Sequence, residues 1–287
     1  MMSDHNDEID PDSIDPSSRA FNGLTAKQWA MFSRSVINNV SSTREKKHRE
    51  HGATFPVALI EQLIRMYSRK GDLIFDPFVG SGTTLEACRL TGRNGIGIEL
   101  NPNFYQMAHS VCVQQTIDHQ VQLKAYNDDC RNCLNYCEPN SVQFIVTSPP
   151  YADFIQRWGQ DRELVHKNPM FTNSFIKQYS DSPADFGNLA YPQFLEQLQF
   201  LLEKLYAITK PNGYHAWIVK DMRNTKEDVP YVPFHSDIAM IGQQAGFKYH
   251  DLLIWDQNER RKLMVNGYPS VFYTNQNHSF IIIFHKK

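Results

Sequence analysis

Apolar residues along the chain change their period at regular intervals. Short continuous runs, "LIFD" (73–76), "GIGIEL" (95–100), "VQLKAY" (121–126) and "VQFIVTS" (142–148), read as buried strands. "YHAWIVKD" (214–221), "FKYHDLLIWD" (247–256) and "SFIIIFH" (279–285) continue the series. Between them, apolar positions recur every three or four residues, the spacing of one helix face. Such segments are "TFPVALIEQLIRMYS" (54–68), "GTTLEACRLTG" (82–92), "NPNFYQMAHSVCVQQ" (101–115), "YPQFLEQLQFLLEKLYAITK" (191–210) and "FHSDIAMIGQQAG" (234–246). Their ends carry helix punctuation: Pro56 in a first turn, Gly92 as a stop, Asn101-Pro102 as an opening, and Pro211-Asn212-Gly213 as a terminator. Upstream, "TAKQWAMFSRSVINNV" (25–40) predicts one more helix, with Thr25 as N-cap.

Strands that alternate with helices of this length imply βαβ units and a mainly parallel sheet. The last two strands have no helix between them, which predicts antiparallel pairing at that edge. The fold class is therefore α/β and Rossmann-like, a mainly parallel seven-stranded sheet with an antiparallel edge strand. Residues 1–20 are acidic and polar and read as a disordered tail, leaving 21–287 as a single domain. Two stretches interrupt the rhythm, 152–190 and 256–276. The first is long and rich in aromatic residues, which suits a functional insertion better than a disordered one.

Composition narrows the class further. At 41% hydrophobic and 21% charged residues, the chain has an ordinary soluble balance and enough apolar mass for a core. It has no apolar run of the ~20 residues that span a bilayer. With no signal-peptide pattern at its start, a cytoplasmic location is expected. A net charge of −2 argues mildly against a dedicated nucleic-acid binder, although a local basic cleft can sit on a neutral whole. The cysteines do not suggest a disulfide framework. In "CRNCLNYC", Cys130, Cys133 and Cys137 share one helical face and lack an evident fourth ligand, so they read as core rather than as a metal site.

Two turns carry the candidate chemistry. In "LIFDPFVGSGTTLEA", Gly80 and Gly82 lie between a strand and a helix, where the backbone can turn tightly and approach a ligand. The helix start then presents N–H groups to an anion. Glu99 ends the next strand, placed to accept hydrogen bonds from ribose hydroxyls. Asp128 and Asp129 end the strand after that, where an adenine amino group could be read. No Lys follows the glycines, so a P-loop fails, and Leu85 breaks the dinucleotide fingerprint. An adenosine ligand with a small anion, such as S-adenosylmethionine, remains; an ordinary tight crossover with Asp76 and Glu99 as caps is the alternative.

The second turn, Ser148-Pro149-Pro150-Tyr151, closes the fourth strand beside the same crevice. Proline removes N–H donors, so carbonyls there can face a pocket as pure acceptors. Ser148 adds a hydroxyl and Tyr151 a flat face, a combination suited to a planar ring bearing an exocyclic NH₂. Preset acceptors would also stabilise the positive charge that develops on that nitrogen during alkylation. A simple strand-ending proline turn with a packed tyrosine is the alternative.

Together, "DPFVGSGTT", "TSPPY" and the preceding helix "ATFPVALIEQLI" resemble the amino-group DNA methyltransferases that use S-adenosylmethionine. The resemblance is strong over residues 50–151 and looser over 191–287. It implies a class I methyltransferase fold with roles for individual residues. Thr54, Phe55 and Pro56 would close over the cofactor; Asp76, Pro77, Phe78, Gly80, Ser81, Gly82 and Thr83 would cradle it. Glu99 would hold its ribose and Asp129 or Asp128 its adenine, with Asn101 also among the cofactor-binding residues. Ser148, Pro149, Pro150 and Tyr151 would hold the target amine. Ser at the first position of that motif favours cytosine N4 over adenine N6. The implied partner is double-stranded DNA with the target base flipped out, in a restriction-modification or phage-defence setting. A separate target-recognition domain is not evident, so the two insertions are the candidates. In the second, Arg260, Arg261 and Lys262 precede Tyr268, Phe272 and Tyr273, a basic and aromatic mixture suited to phosphates and an unstacked base. RNA amino groups, a protein glutamine amide and a non-catalytic binding module are the remaining readings.

Overall fold

The computed structural model describes residues 20–38, 40, 55–113, 121–153, 180, 182–223, 231–260, 263, 269–270 and 272–287. The acidic tail, Thr54 and most of the first insertion therefore lie outside the described residues. The central sheet contains β1 (Val36–Ile37), β2 (Leu73–Asp76), β3 (Asn94–Glu99), β4 (Leu123–Asn127), β5 (Val142–Thr147), β6 (Thr209–Val219), β9 (Lys248–Asp256) and β10 (His278–His285). A separate two-stranded ribbon pairs β7 (Met222–Arg223) with β8 (Tyr231–Val232). The sheet order is β1-β9-β10-β6-β5-β2-β3-β4. β2 through β6 pair in parallel, while β10 runs antiparallel to both β6 and β9.

The Rossmann-like α/β class holds, and the antiparallel end lies where the sequence placed it. Its detail is more specific. β10 is the reversed strand, β9 lies outside it, and β1 adds an eighth strand in parallel to β9. This last strand comes from a segment expected to be helical. α1 (Ala26–Phe32) begins as predicted, with a capping box between Thr25 and Gln28, but it stops before Ser33. The β-branched pair Val36-Ile37 then lies against β9, where Ile254 N–H donates to Ser35 O at 2.7 Å and Ile37 is buried. A second difference concerns Pro211-Asn212-Gly213. The long helix ends earlier, at Ile208, and the three residues form an irregularity inside β6. Asn212 takes a φ of 62°, and its N–H finds Lys286 O at 2.8 Å.

Both faces of the sheet are buried, which is why its strands read as apolar runs rather than as alternations. α2 (Val57–Tyr67) and α3 (Thr83–Thr91) cover one face, packing on Ile74, Phe144, Val146 and Ile218. α4 (Pro102–Val113) lies beside α3, and α5 (Tyr191–Ile208) and α6 (Phe234–Gln244) cover the opposite face. There they pack on Phe75, Ile145, Trp217 and Phe284. Cys130, Cys133 and Cys137 belong to that second core, in and just after a 3-10 turn at Cys130–Asn135. Among the described residues, no helix is long and apolar enough to cross a membrane.

The strand order reverses at β2, whose successors β3 and β4 lie to one side and β5 and β6 to the other. A crevice opens at the carboxyl ends of strands at such a point, and ligands of open α/β sheets bind there. Both candidate turns flank it.

Candidate active site

β2 ends in Asp76, and the chain turns over the sheet rim through Pro77, Phe78, Val79, Gly80 and Ser81 into α3. Val79 N–H donates to Ile98 O at 3.1 Å, pinning the loop across β3. Gly82 occupies the N-cap of α3 with φ 95°, a left-handed conformation costly for other residues. A Cβ there would also meet the Ala108 Cα of α4 at 2.9 Å, so the helix can approach its neighbour only with glycine. Gly80 takes φ 55°. Pro77, Ser81 and Thr83 are buried beneath the turn, while Phe78 and Gly80 remain half-buried at its surface.

Asp76 joins the two candidate turns. Its carboxylate accepts from Thr84 Oγ1 of α3 at 2.6 Å, from Thr147 Oγ1 of β5 at 2.7 Å, and from Phe78 N–H at 3.0 Å. Burial pushes its carboxyl up to about 6, against those three hydrogen bonds. Thr147 immediately precedes Ser148, so the glycine turn and the proline turn share one buried anchor. Thr84 and Thr147 close and open the two motifs read from the sequence, but no role was assigned to either. Their role arises from parallel pairing of β2 with β5, which aligns Phe75 with Ile145.

Glu99 ends β3 beside the loop. Its two oxygens accept from Gly80 N–H at 2.9 Å and Asn101 N–H at 2.8 Å. Burial raises its carboxyl to about 7 despite these bonds, and nearby Asp76 and Asp185 add to the rise. Asn101 caps α4 through Asn103 N–H at 2.9 Å. At the end of β4, Asp128 accepts from Tyr136 Oη at 2.7 Å and Asn132 Nδ2 at 2.9 Å. Asp129 is paired with Arg131, whose Nε lies 3.0 Å from both carboxylate oxygens. Asp128 is thus held by neutral donors and Asp129 by a guanidinium.

The described end of the first insertion turns back onto this site. A 3-10 turn at Phe186–Asn188 sets Phe186 edge-on against Phe78, with centroids 5.5 Å apart. Arg131 stands over the Phe186 ring, 5.2 Å from its centroid, and donates to Ala184 O at 3.1 Å. Asp185 is buried, and it holds the turn by accepting from Gly187 N–H at 2.8 Å and Ser180 Oγ at 2.9 Å. Residues 182–190 therefore wall the glycine-turn side of the crevice. The sequence offered 152–190 as a candidate for target recognition; the contact of its end with the glycine turn was signalled there only by an Asp-Phe-Gly-Asn turn inside an aromatic-rich loop.

In the proline turn, Pro149 and Pro150 are buried and Ser148 and Tyr151 half-buried. Ser148 Oγ has no hydrogen-bond partner among the described residues, so its hydroxyl is available to a ligand. Tyr151 is fixed at both ends. Its ring lies 5.7 Å from Phe234 of α6, and its Oη accepts from Lys220 N–H at 3.2 Å. Ala152 follows with φ 47° and is fully buried. A left-handed alanine costs about 1–2 kcal/mol, a strain that persists only where surroundings impose it. On the other rim, Phe55 packs edge-on to Trp255 at 5.9 Å, and Pro56 caps α2. Arg260 ends a 3-10 turn (Asn258–Arg260). Its side chain, and Arg261 and Lys262 entirely, lie outside the described residues.

A family model described as DNA methylase, of the N6/N4 type, matches residues 12–110 and 142–287. The chain belongs to the N6/N4 DNA methylase family. S-adenosylmethionine is the cofactor of this family, and the crevice suits it: a glycine-cradled helix start stands beside a half-buried acid. Similar proteins include the type II methyltransferase M.BglI of Bacillus subtilis, 39% identical over 88 residues, 31% of this chain and 25% of the relative. Another is M.MthZI of Methanothermobacter thermautotrophicus, 36% identical over 104 residues, 35% of this chain and 29% of that one. The matched segments thus span under a third of either relative's length. Among solved structures, TrmN from Thermus thermophilus is 14% identical, with 85% of this chain and 55% of that chain covered and a TM-score of 0.47.

Proposed function

We propose that this methylase-family chain transfers a methyl group from S-adenosylmethionine to the exocyclic amine of a DNA base, cytosine N4, with the base turned out of the duplex. The observation that carries the reading is the Asp76 junction. One buried carboxylate holds the glycine turn through Thr84 and Phe78 and the proline turn through Thr147. Direct transfer demands this, because donor and acceptor must share one rigid frame and meet in line. The curated relatives are named type II methyltransferases, which accords with a DNA substrate and a restriction-modification setting.

Gly80, Gly82 and the start of α3 take the carboxylate end of the cofactor, Glu99 the ribose hydroxyls, and Asp128 the adenine amine. Asp129 supports that side through Arg131, and Phe78 with Phe186 forms an apolar wall. Phe55 and Pro56 close the opposite rim, with Thr54 preceding them. When bound, the cofactor supplies an electrophilic methyl on a sulfonium. Ser148 Oγ and a proline carbonyl accept the two N–H bonds of the target amine and aim its lone pair. Tyr151 offers its ring to the base. These fixed acceptors face the nitrogen where positive charge grows, and they need no reorganisation as it does. The 256–276 loop, with Arg260, Arg261 and Lys262, is assigned to the DNA backbone.

The deciding experiment supplies labelled methyl donor to DNA, RNA and protein pools and digests the labelled pool. Label in 4-methylcytosine is expected; label in 6-methyladenine moves the base, and label confined to RNA or glutamine removes the DNA reading.

The Glu99 carboxyl gives a pH test. Its folded value, about 7, lies above its usual 4.5, so the folded chain binds this proton more tightly. The stability so gained is present at low pH and is lost as pH rises through 7. Cofactor affinity should move the other way, because only the ionised carboxylate accepts both ribose hydroxyls. Between pH 6 and 8, calorimetry is expected to show affinity rising roughly 5- to 10-fold as the competent form fills. Glu99→Gln should flatten that dependence; an unchanged slope would place the titration elsewhere.

A further inference from the structure

Tyr151 is gripped from two elements, and one buried acid ties those elements together. Its Oη accepts from the N–H of Lys220, the first residue after β6, and its ring packs on Phe234 in the first turn of α6. Asp221 directly follows Lys220 and reaches the residue after Phe234. It accepts from His235 N–H at 3.0 Å, and its two oxygens lie 2.7 and 2.8 Å from His235 Nδ1. A carboxylate at these distances accepts, so Nδ1 carries the proton. Asp221 also accepts from Tyr231 Oη of β8 at 2.6 Å, which fastens the two-stranded ribbon to the same point. Tyr151, Met222, Val232 and Phe234 share one core, on the sheet face that α5 and α6 cover.

α6 takes this acceptor from outside itself. Pro233 is its N-cap and makes no side-chain hydrogen bond into the helix. The first N–H groups of a helix have no intrahelical partner, and the positive end of the helix favours an anion. Asp221 meets both demands from the end of β6. The His235 ring is then held a second time, flat against Phe280 of β10 with centroids 4.0 Å apart. Tyr191 of α5 braces the same turn, hydrogen-bonded to Asp237 and 6.2 Å from the Phe234 ring. A shift of the first turn of α6 against β6 therefore moves Phe234 relative to the Lys220 N–H, and with it the Tyr151 ring.

We propose that Asp221, with His235 as its partner, is a positioning residue for the target base: it sets the spacing of Phe234 and the Lys220 N–H, and so the pose of the Tyr151 ring. The inference rests on the amino-methyltransferase reading above and adds a second carboxylate to it. Asp76 joins the glycine and proline turns, and Asp221 orients the aromatic face on which the base lies. Because it acts through Tyr151, its effect should vanish when that ring is absent.

The test is a double-mutant cycle in the full chain, read by methyl transfer to DNA, cofactor calorimetry and melting temperature. Asp221→Ala is expected to lower kcat/KM for DNA roughly 10- to 50-fold, within the loss that removal of the ring itself would cause. Cofactor affinity should stay within about twofold. Added to Tyr151→Ala, the same substitution should cost less than about threefold more, because the group it aims is gone. His235→Phe keeps a ring on Phe280 but loses the Nδ1 donor, and should slow transfer roughly 3- to 10-fold. His235→Asn places an amide N–H where Nδ1 stands and should retain more of the rate than His235→Phe. If Asp221→Ala does not fold, His235→Phe carries the same cycle with Tyr151→Ala. Penalties that multiply in the double variant would overturn the positioning role, as would wild-type turnover of a folded Asp221→Ala or an equal loss of cofactor affinity. Wild-type protein that labels no DNA base would instead overturn the functional reading beneath it, and this inference with it.

Discussion

Asp76→Ala should abolish measurable methyl transfer and lower stability together. The substitution leaves two buried hydroxyls, on Thr84 and Thr147, and the Phe78 N–H without their acceptor. Each unsatisfied buried donor costs about 1–3 kcal/mol, offset in part because a desolvated carboxylate is no longer buried. A net loss of about 2–4 kcal/mol follows, on the order of 3–7 °C in the melting midpoint for a chain of this size. The functional loss should be larger than the stability loss. Without the junction, the glycine turn and the proline turn are no longer held in one geometry, and small misplacements of reacting groups cost rate steeply. Asp76→Asn is the informative companion. Its amide can still accept from one threonine and donate to the other, so its melting point should lie near that of the wild type while transfer remains impaired. Thr147→Val cuts only the β5 arm, and should reduce transfer more than it reduces cofactor affinity. Scanning calorimetry and single-turnover transfer separate these outcomes. Wild-type transfer by a folded Asp76→Ala variant would dismiss the junction.

Tyr151→Ala carries the second large effect, and it should fall on the base rather than on the cofactor. An aromatic ring stacked on a nucleobase is worth about 1–3 kcal/mol, so kcat/KM for DNA should drop up to roughly 100-fold. Cofactor affinity should change less than twofold, because the described contacts of Tyr151 run to Phe234 and Lys220 and not to the glycine turn. Tyr151→Phe keeps the ring and loses the bond from Lys220 N–H, a change of about 0.5–1.5 kcal/mol. It should therefore retain most of the rate. Equal loss of cofactor binding and DNA turnover in Tyr151→Ala would show that the residue supports the whole rim instead. The raised Asp76 carboxyl adds a pH signature common to both series. Its folded value, about 6, exceeds its usual 3.8, so the stability it contributes is present at low pH and declines as pH rises through 6. Asp76→Asn should lose that decline.

The order of strands and helices, the glycine and proline turns, and the caps at Thr25, Gly92 and Asn101 could all be read from residues alone. Each depends on neighbours within a few positions: a left-handed φ that suits glycine, a ring that removes a donor, a side chain that reaches its own backbone. The reading of Val36-Ile37 as helix failed for the complementary reason. Nothing local distinguishes an apolar pair on a helix from one that finds an open strand edge, and β9 supplied the edge. Similarly, Pro211-Asn212-Gly213 marks a break, but only pairing with β5 and β10 decides that the break lies inside a strand.

The active site divides along the same line. Gly80, Gly82, Glu99 and Ser148 through Tyr151 announce themselves by residue type and spacing, because the chemistry proposed for them requires those types. Thr84 and Thr147 stand inside the two motifs with no role of their own there, and Phe186 is an ordinary residue in sequence. They enter the candidate site only when parallel pairing of β2 with β5 and the return of the 182–190 segment onto Phe78 bring distant positions together. The sequence by itself determined which chemical groups are available and which local turns present them. Tertiary structure decided which of them share one carboxylate and which ring packs against the glycine turn, because those depend on contacts tens of residues apart that no local preference encodes.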